Sequence, residues 1–301
     1  MTARFGAEYN GAMTDPTDPT FVLTLTCPDR AGIVHAVTGL LVEQRGNILE
    51  SQQFSDLAEN RFFMRVRFAI EGAGAETLER LRSAFAPVAE RWGMTWELWD
   101  AGAPYRTLIL VSKFSHCLND LLFRWSSGSL QIDVVGVVSN HPDCERLVAS
   151  YGVPYHHVPV TADTKADAEK RLLELVDDEG VDLVVLARYM QVLSDDTCRR
   201  LTGKAINIHH SFLPSFKGAR PYHQAFDRGV KLVGATAHYV TGDLDEGPII
   251  EQEMLRVGHQ LSPEQLAARG REAETRALAR AVRWHTENRI VIHESRTVVF
   301  E

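Results

Sequence analysis

"VDLVVLARYMQVLSDDTCRRLTGKAINIHH", residues 181–210, contains two largely apolar runs, VDLVVLA and AINIHH, the second ending in two histidines. Short apolar runs that do not alternate read as strands buried on both faces, the mark of a parallel sheet. In such sheets ligands bind beyond the carboxyl ends of the strands. The last residues of AINIHH therefore fall on a binding rim. Residues two apart on a strand share a face. Asn207 and His209 thus point one way and His210 the other, which denies a metal the convergent histidine pair it would need.

The pattern extends in both directions. RTLILVS and IDVVGVVSN are strands, with helices expected from near His116 and across 141–151; YHHVPV precedes a helix over 164–179. GATAHYV is a further strand, 262–287 is a long helix whose charged face reads as solvated surface, and RIVIHESRTVVF is a terminal hairpin. The region 105–301 is accordingly a Rossmann-like, mostly parallel α/β domain. Upstream, FVLTLTC is a strand, and Ile33, Val34, Val37, Leu40 and Leu41 give a helix stopped by Gly46. NILESQQFSD and RFFMRVRFAI are two strands joined at 58–60, a helix covers roughly 75–92, and MTWELWD closes the set. The order βαββαβ over 20–100 is a ferredoxin-like unit. Residues 1–19, with TDPTDPT, read as a disordered leader.

Bulk properties narrow the function. The chain has 301 residues, 45% apolar and 24% charged, as in an ordinary globular protein. No apolar run approaches the ~18 residues of a membrane helix, and the N-terminus carries no signal-peptide pattern, so a cytoplasmic location with no membrane partner is expected. A net charge of −8 without a basic block disfavours nucleic acid. Cys27, Cys117, Cys144 and Cys198 form no C-x-x-C pair, which disfavours zinc and disulfides; no metal is expected.

An amide and an imidazole on one strand face can stabilise an oxyanion and move a proton near pH 7. They need a carboxylate. The loop TGDLDEGP supplies three acids, of which Asp245, set between Leu244 and the Gly247-Pro248 turn, is the best held; Asp243 and Glu246 read as surface acids. NIHHSFLPSFKGARPYHQA followed by GATAHYVTGDLDEGPII closely resembles the formyltransferase family that uses 10-formyltetrahydrofolate, over about 106–290. The resemblance implies a catalytic set of Asn207, His209 and Asp245, with His238 as a supporting histidine. It also implies a pterin-contacting segment, ARYMQVLS, lined by Met190, Val192 and Leu193, and a loop residue Gly218 near substrate.

The first-strand loop departs from the phosphate-holding Gly-x-Gly-Ser-Asn of glycinamide ribonucleotide transformylases. Lys113, Phe114 and His116 stand where small residues would expose backbone N–H groups to an anion. Lys113 and His116 either close the acceptor side around a water molecule or, for Lys113, face solvent. TLTCPDRAGIVHAVTGLLVEQRGNI resembles ACT domains, with Asp29, Arg30, Gly32 and Asn47 in the positions that frame amino-acid ligands at a subunit interface. The two modules together resemble the formyltetrahydrofolate deformylases. That family implies hydrolysis of 10-formyltetrahydrofolate by water with no cofactor, glycine and methionine as effectors, and a homo-oligomer. Transfer of formyl to an amine and non-catalytic ligand binding are the competing readings. Whether Asp245 or His209 is the base is open at this level.

Overall fold

The computed structural model describes residues 18–213 and 221–301. Residues 1–17 of the leader and Gly218 lie outside the described residues. The chain divides into two units, Met1–Ala103 and Pro104–Glu301.

The first unit runs β1 (Thr20–Pro28), α1 (Ile33–Glu43), β2 (Gly46–Asp56), β3 (Arg61–Ile70), α2 (Thr77–Trp92) and β4 (Thr95–Asp100). Its antiparallel sheet has the order β2-β3-β1-β4. Alternation along β1 and β3 sends Leu23, Leu25, Val66 and Phe68 to one face, where they pack with Ile33, Val37 and Leu41 of α1 and Leu81 and Phe85 of α2. One expectation is corrected. Gly46 is not the helix stop: Arg45 takes the left-handed backbone (φ 60) and Gly46 opens β2. A Cβ at Gly46 would lie 3.1 Å from both the Leu41 carbonyl oxygen and the Phe68 ring, so the glycine permits close approach rather than a cap.

The second unit runs β5 (Tyr105–Val111), α3 (His116–Ser126), β6 (Ile132–Ser139), α4 (Glu145–Ser150), β7 (Tyr155–His157), α5 (Lys165–Asp178), β8 (Leu183–Leu186) and α6 (Asp195–Arg200). It continues with β9 (Ala205–His209), α7 (Pro221–Asp227), β10 (Leu232–Tyr239), β11 (Ile249–Arg256), α8 (Pro263–Thr286), β12 (Ile290–His293) and β13 (Arg296–Val299). Seven strands form one sheet, β11-β10-β9-β8-β5-β6-β7. Strands β5 to β9 pair in parallel, whereas β10 runs antiparallel to both β9 and β11.

Alternate residues of β5 explain the two-sided burial. Ile109 and Val111 join a core with Leu118, Leu121 and Leu122 of α3 and Ala277 and Val282 of α8. Leu108 and Leu110 join a second core with Leu172 and Leu175 of α5 and Cys198 of α6. The α6 and α7 turns are too short to leave a periodic signal in the sequence. Helix α8 corrects another expectation, because its charged residues are not all solvated. Glu274 is 1% exposed.

Candidate active site

The site forms where β9, β10 and the loop before β11 meet. Register decides its first contact. His238 on β10 lies directly opposite Asn207 on β9 in the antiparallel ladder, and directly opposed residues project to the same side. Asn207 Nδ2 sits 3.2 Å from His238 Nε2. The tautomer follows from the other ring nitrogen: His238 Nδ1 donates to the Tyr239 carbonyl oxygen at 2.8 Å, which leaves Nε2 of the neutral ring to accept. Burial lowers the His238 pKa, against the opposing effects of that carbonyl and of Asp245, and keeps the ring neutral. Asn207 is therefore oriented with its nitrogen toward His238, and one N–H remains for another acceptor.

Asp245 arrives from the loop. Its φ of 58 places a non-glycine residue in the left-handed region, at a cost of about 1 kcal/mol, a form of strain that concentrates at functional sites. What holds the turn is Gly247. A Cβ there would fall 1.8 Å from the Tyr239 carbonyl oxygen, so this residue has no room for a side chain. The Tyr239 N–H donates to the Pro248 carbonyl oxygen at 2.9 Å and ties the turn to the end of β10.

The consequence is a short contact between separated segments. His209 Nδ1 lies 3.1 Å from Asp245 Oδ1, and His238 Nε2 lies 3.8 Å from the same oxygen. Both side chains of the His209–Asp245 pair are nearly buried. Burial alone would raise the Asp245 pKa, but the His209 hydrogen bond and the field of the neighbouring imidazoles prevail and lower it, so the group is a carboxylate at neutral pH. With Nδ1–H given to Asp245, His209 presents Nε2 as its basic nitrogen. That atom is buried and has no hydrogen-bond partner.

A cavity of about 220 Å³ opens onto these groups, and Asn207, His209, His238 and Asp245 all line it. Its other walls include Met190, Val192 and Leu193, the residues that the family resemblance singles out, together with the Val240–Leu244 loop. The Met190 segment is fixed from below: the Met190 N–H donates to Ser112 Oγ at 3.0 Å, and that hydroxyl donates to Asn140 Oδ1 at 2.7 Å.

Several site expectations need correction. His210 does not point away from the site. Strand β9 ends at His209, the chain bends, and the His210 ring stands 5.0 Å from the His209 ring and lines the same cavity. Burial, with the charge of Arg188 beside it, depresses its pKa to about 4. Lys113 is exposed and lies outside the cavity wall, which fits the solvent-facing alternative rather than the acceptor-side one. His116 is not in the wall either. Its Nε2 contacts Glu274 Oε2 at 2.7 Å, and Glu274 in turn faces Arg188 Nε at 3.4 Å.

Arg188, His210 and Glu274 are the neighbours that sequence reasoning missed. Two of them left a trace: an arginine directly after the VDLVVLA run, and a glutamate in the stripe Gly270, Ala273, Ala277, Leu278, Ala281. The candidate ligand atoms of His116, Cys117 and Glu274 lie within 4.8 Å of one another. They suit a metal poorly, because burial and the Glu274 charge push the Cys117 thiol well up and Glu274 is already committed to Arg188.

In the first unit, Gly32 (φ 99) begins α1 and packs 3.0 Å, at its would-be Cβ, from the Trp92 ring. Asp29 is held through its N–H to the Asn60 carbonyl oxygen, while Arg30 lies over Trp92 and donates to the Arg91 carbonyl oxygen. Asn47 stands near the start of the edge strand β2, beyond the far end of α1. An eleven-residue helix, roughly 16 Å long, separates Gly32 from Asn47 within one chain.

Residues 105–282 match the family described as "Formyl transferase", and residues 21–86 match "ACT domain". A formyltetrahydrofolate deformylase of Corynebacterium sp. (strain P-1) is 58% identical over 278 residues, spanning 92% of this chain and 97% of that protein. Crystal structures of the formyltetrahydrofolate deformylases of Burkholderia mallei and Pseudomonas syringae superpose with TM-scores of 0.88 and 0.92, at 54% and 46% identity. They cover 94% and 95% of this chain and 100% and 96% of theirs. With two domain matches and relatives alike over nearly their whole length, the chain belongs to the formyltetrahydrofolate deformylase family.

Proposed function

We propose that the chain hydrolyses 10-formyltetrahydrofolate to formate and tetrahydrofolate, with Asn207, His209 and Asp245 as its catalytic residues. The observation that carries this reading is the meeting of His209 and Asp245 at 3.1 Å, which leaves His209 Nε2 unpartnered at a cavity that Asn207 also lines. His209 Nε2 takes a proton from water as the water oxygen bonds to the formyl carbon. The free N–H of Asn207 donates to the oxyanion that forms. The tetrahedral intermediate collapses with cleavage of the C–N10 bond, N10 receives the proton from His209, and formate leaves after giving up its own proton. Asp245 orients the His209 ring and stabilises its cationic form. Its lowered pKa makes it a weak base, which favours His209 in that role. Met190, Val192 and Leu193 bound the space for the pterin.

Water as acceptor is tested by incubating the protein with 10-formyltetrahydrofolate and no amine. Formate and tetrahydrofolate released in equal amounts support hydrolysis. An absolute need for an added amine supports formyl transfer instead.

The ACT unit is read as a regulatory module that binds glycine or methionine through Asp29, Arg30, Gly32 and Asn47. Their separation across α1 favours a site shared between two copies of the chain, hence a homo-oligomer. The expected role is supply of formate for purine synthesis and balance of one-carbon folate pools in the cytoplasm, with no cofactor. Titrating each amino acid into the acceptor-free assay tests the regulation.

A further inference from the structure

Arg188 has features that the catalytic scheme does not use. Its φ of 67 is left-handed, a conformation that disfavours side chains, yet an arginine occupies it. Its backbone is held by the Ser112 N–H, which donates to the Arg188 carbonyl oxygen at 3.2 Å. The side chain is 9% exposed and contributes to the wall of the reaction cavity. Glu274 Oε2 forms an ion pair with Nε at 3.4 Å without a hydrogen bond, and Nε and Nη1 are both buried with no hydrogen-bond partner. The Phe114 ring stands 5.8 Å from the guanidinium carbon. Leaving a buried guanidinium N–H unpaired is costly, so the arrangement favours any ligand that can accept from it.

The reaction itself generates such a ligand in the cavity that Arg188 lines. Hydrolysis turns a neutral formyl group into a carboxylate, and the planar guanidinium fork matches a carboxylate in shape and charge. We infer that Arg188 is the subsite that receives the formate carboxylate after the C–N bond breaks, an inference that rests on the hydrolytic reading above. Glu274 is the positioning residue: it holds the guanidinium at the wall and moderates its charge, so that formate is captured without being retained. His116, bonded to the same carboxylate oxygen, anchors Glu274 from α3.

The test is a calorimetric titration of sodium formate into the full-length protein without folate, with sodium chloride as the control, on wild type, Arg188→Gln and Arg188→Gly. The glycine variant suits the left-handed backbone and guards against misfolding. Wild type is expected to bind formate saturably. Both variants are expected to bind at least tenfold more weakly, the order of effect of one charge-assisted hydrogen bond. Formate as product inhibitor should shift in parallel. Absence of saturable binding in wild type, or variants that bind as wild type does, overturns the assignment. The acceptor-free assay on the same wild-type sample separates this from the parent reading: if no formate is released there, hydrolysis fails, whatever the titration shows.

Discussion

His209 and Asp245, 36 positions apart in the chain, meet through Nδ1 and Oδ1 at 3.1 Å, and the contact dictates which imidazole nitrogen is basic. Asp245→Asn keeps the shape of the side chain and removes its charge. In a comparable histidine–carboxylate pair, that exchange costs about 10⁴ in turnover by stabilising the wrong tautomer. A loss of roughly 10³ to 10⁴ in kcat is expected, with KM changed much less. Steady-state kinetics checks it, and a variant within a few-fold of wild type would remove Asp245 from the site.

Asn207→Ala removes the proposed oxyanion donor. The expected loss is about 2.7–4 kcal/mol of transition-state stabilisation, or roughly two to three orders of magnitude in kcat. His238 acts through Asn207, so His238→Ala should cost less. His238→Gln, which returns an acceptor to the amide, should recover part of the loss. Equal activities for the two His238 variants would contradict the positioning role.

Gly247→Ala tests the turn that delivers Asp245. The added Cβ would meet a backbone carbonyl oxygen, which cannot rotate away as a side chain can. The turn must shift, and the expected result is a loss of stability on the order of 1–3 kcal/mol together with a fall in kcat. Gly229→Ala is a control for a stability loss away from the site, since its φ is 61 and nothing lies within 4 Å of its Cβ position. It should lose stability while largely sparing turnover.

The Asn-x-His strand face and the acid before Gly-Pro were legible in sequence because periodicity and turn chemistry act locally. Arg188 and Glu274 were not, since a charge buried by a partner 86 positions away has no local signature beyond its place in an apolar stripe. His210 departs from its expected direction for a related reason. The two-residue rule holds only within a strand, and β9 stops one residue earlier. Lys113 and His116 were placed by analogy with a loop whose sequence differs here. The two-unit organisation was visible because the strand pattern changes from alternating to continuous between β4 and β5.

Acid should destabilise the fold through buried histidines. His285 and His210 have pKa values of about 4, in both cases chiefly because burial opposes the charged ring. The unfolded chain takes up protons near the ordinary value of ~6.5, while the folded protein resists until about pH 4. Between those limits the unfolded state binds more protons, so stability falls as pH is lowered, by ~1.4 kcal/mol per histidine per pH unit at most. Thermal unfolding at pH 7.5 and 5.0 should show a lower Tm at the acid value. His285→Gln should make the slope shallower, and an unchanged slope would contradict the attribution.

Hydrolysis by water at the Asn207–His209–Asp245 site is tested most directly by a single turnover in ¹⁸O-labelled water with no amine present. The expected product is formate with one solvent oxygen per molecule, matched by an equal amount of tetrahydrofolate, and its rate should collapse in Asp245→Asn. Formate without the label, or no formate until an amine is added, would contradict the account.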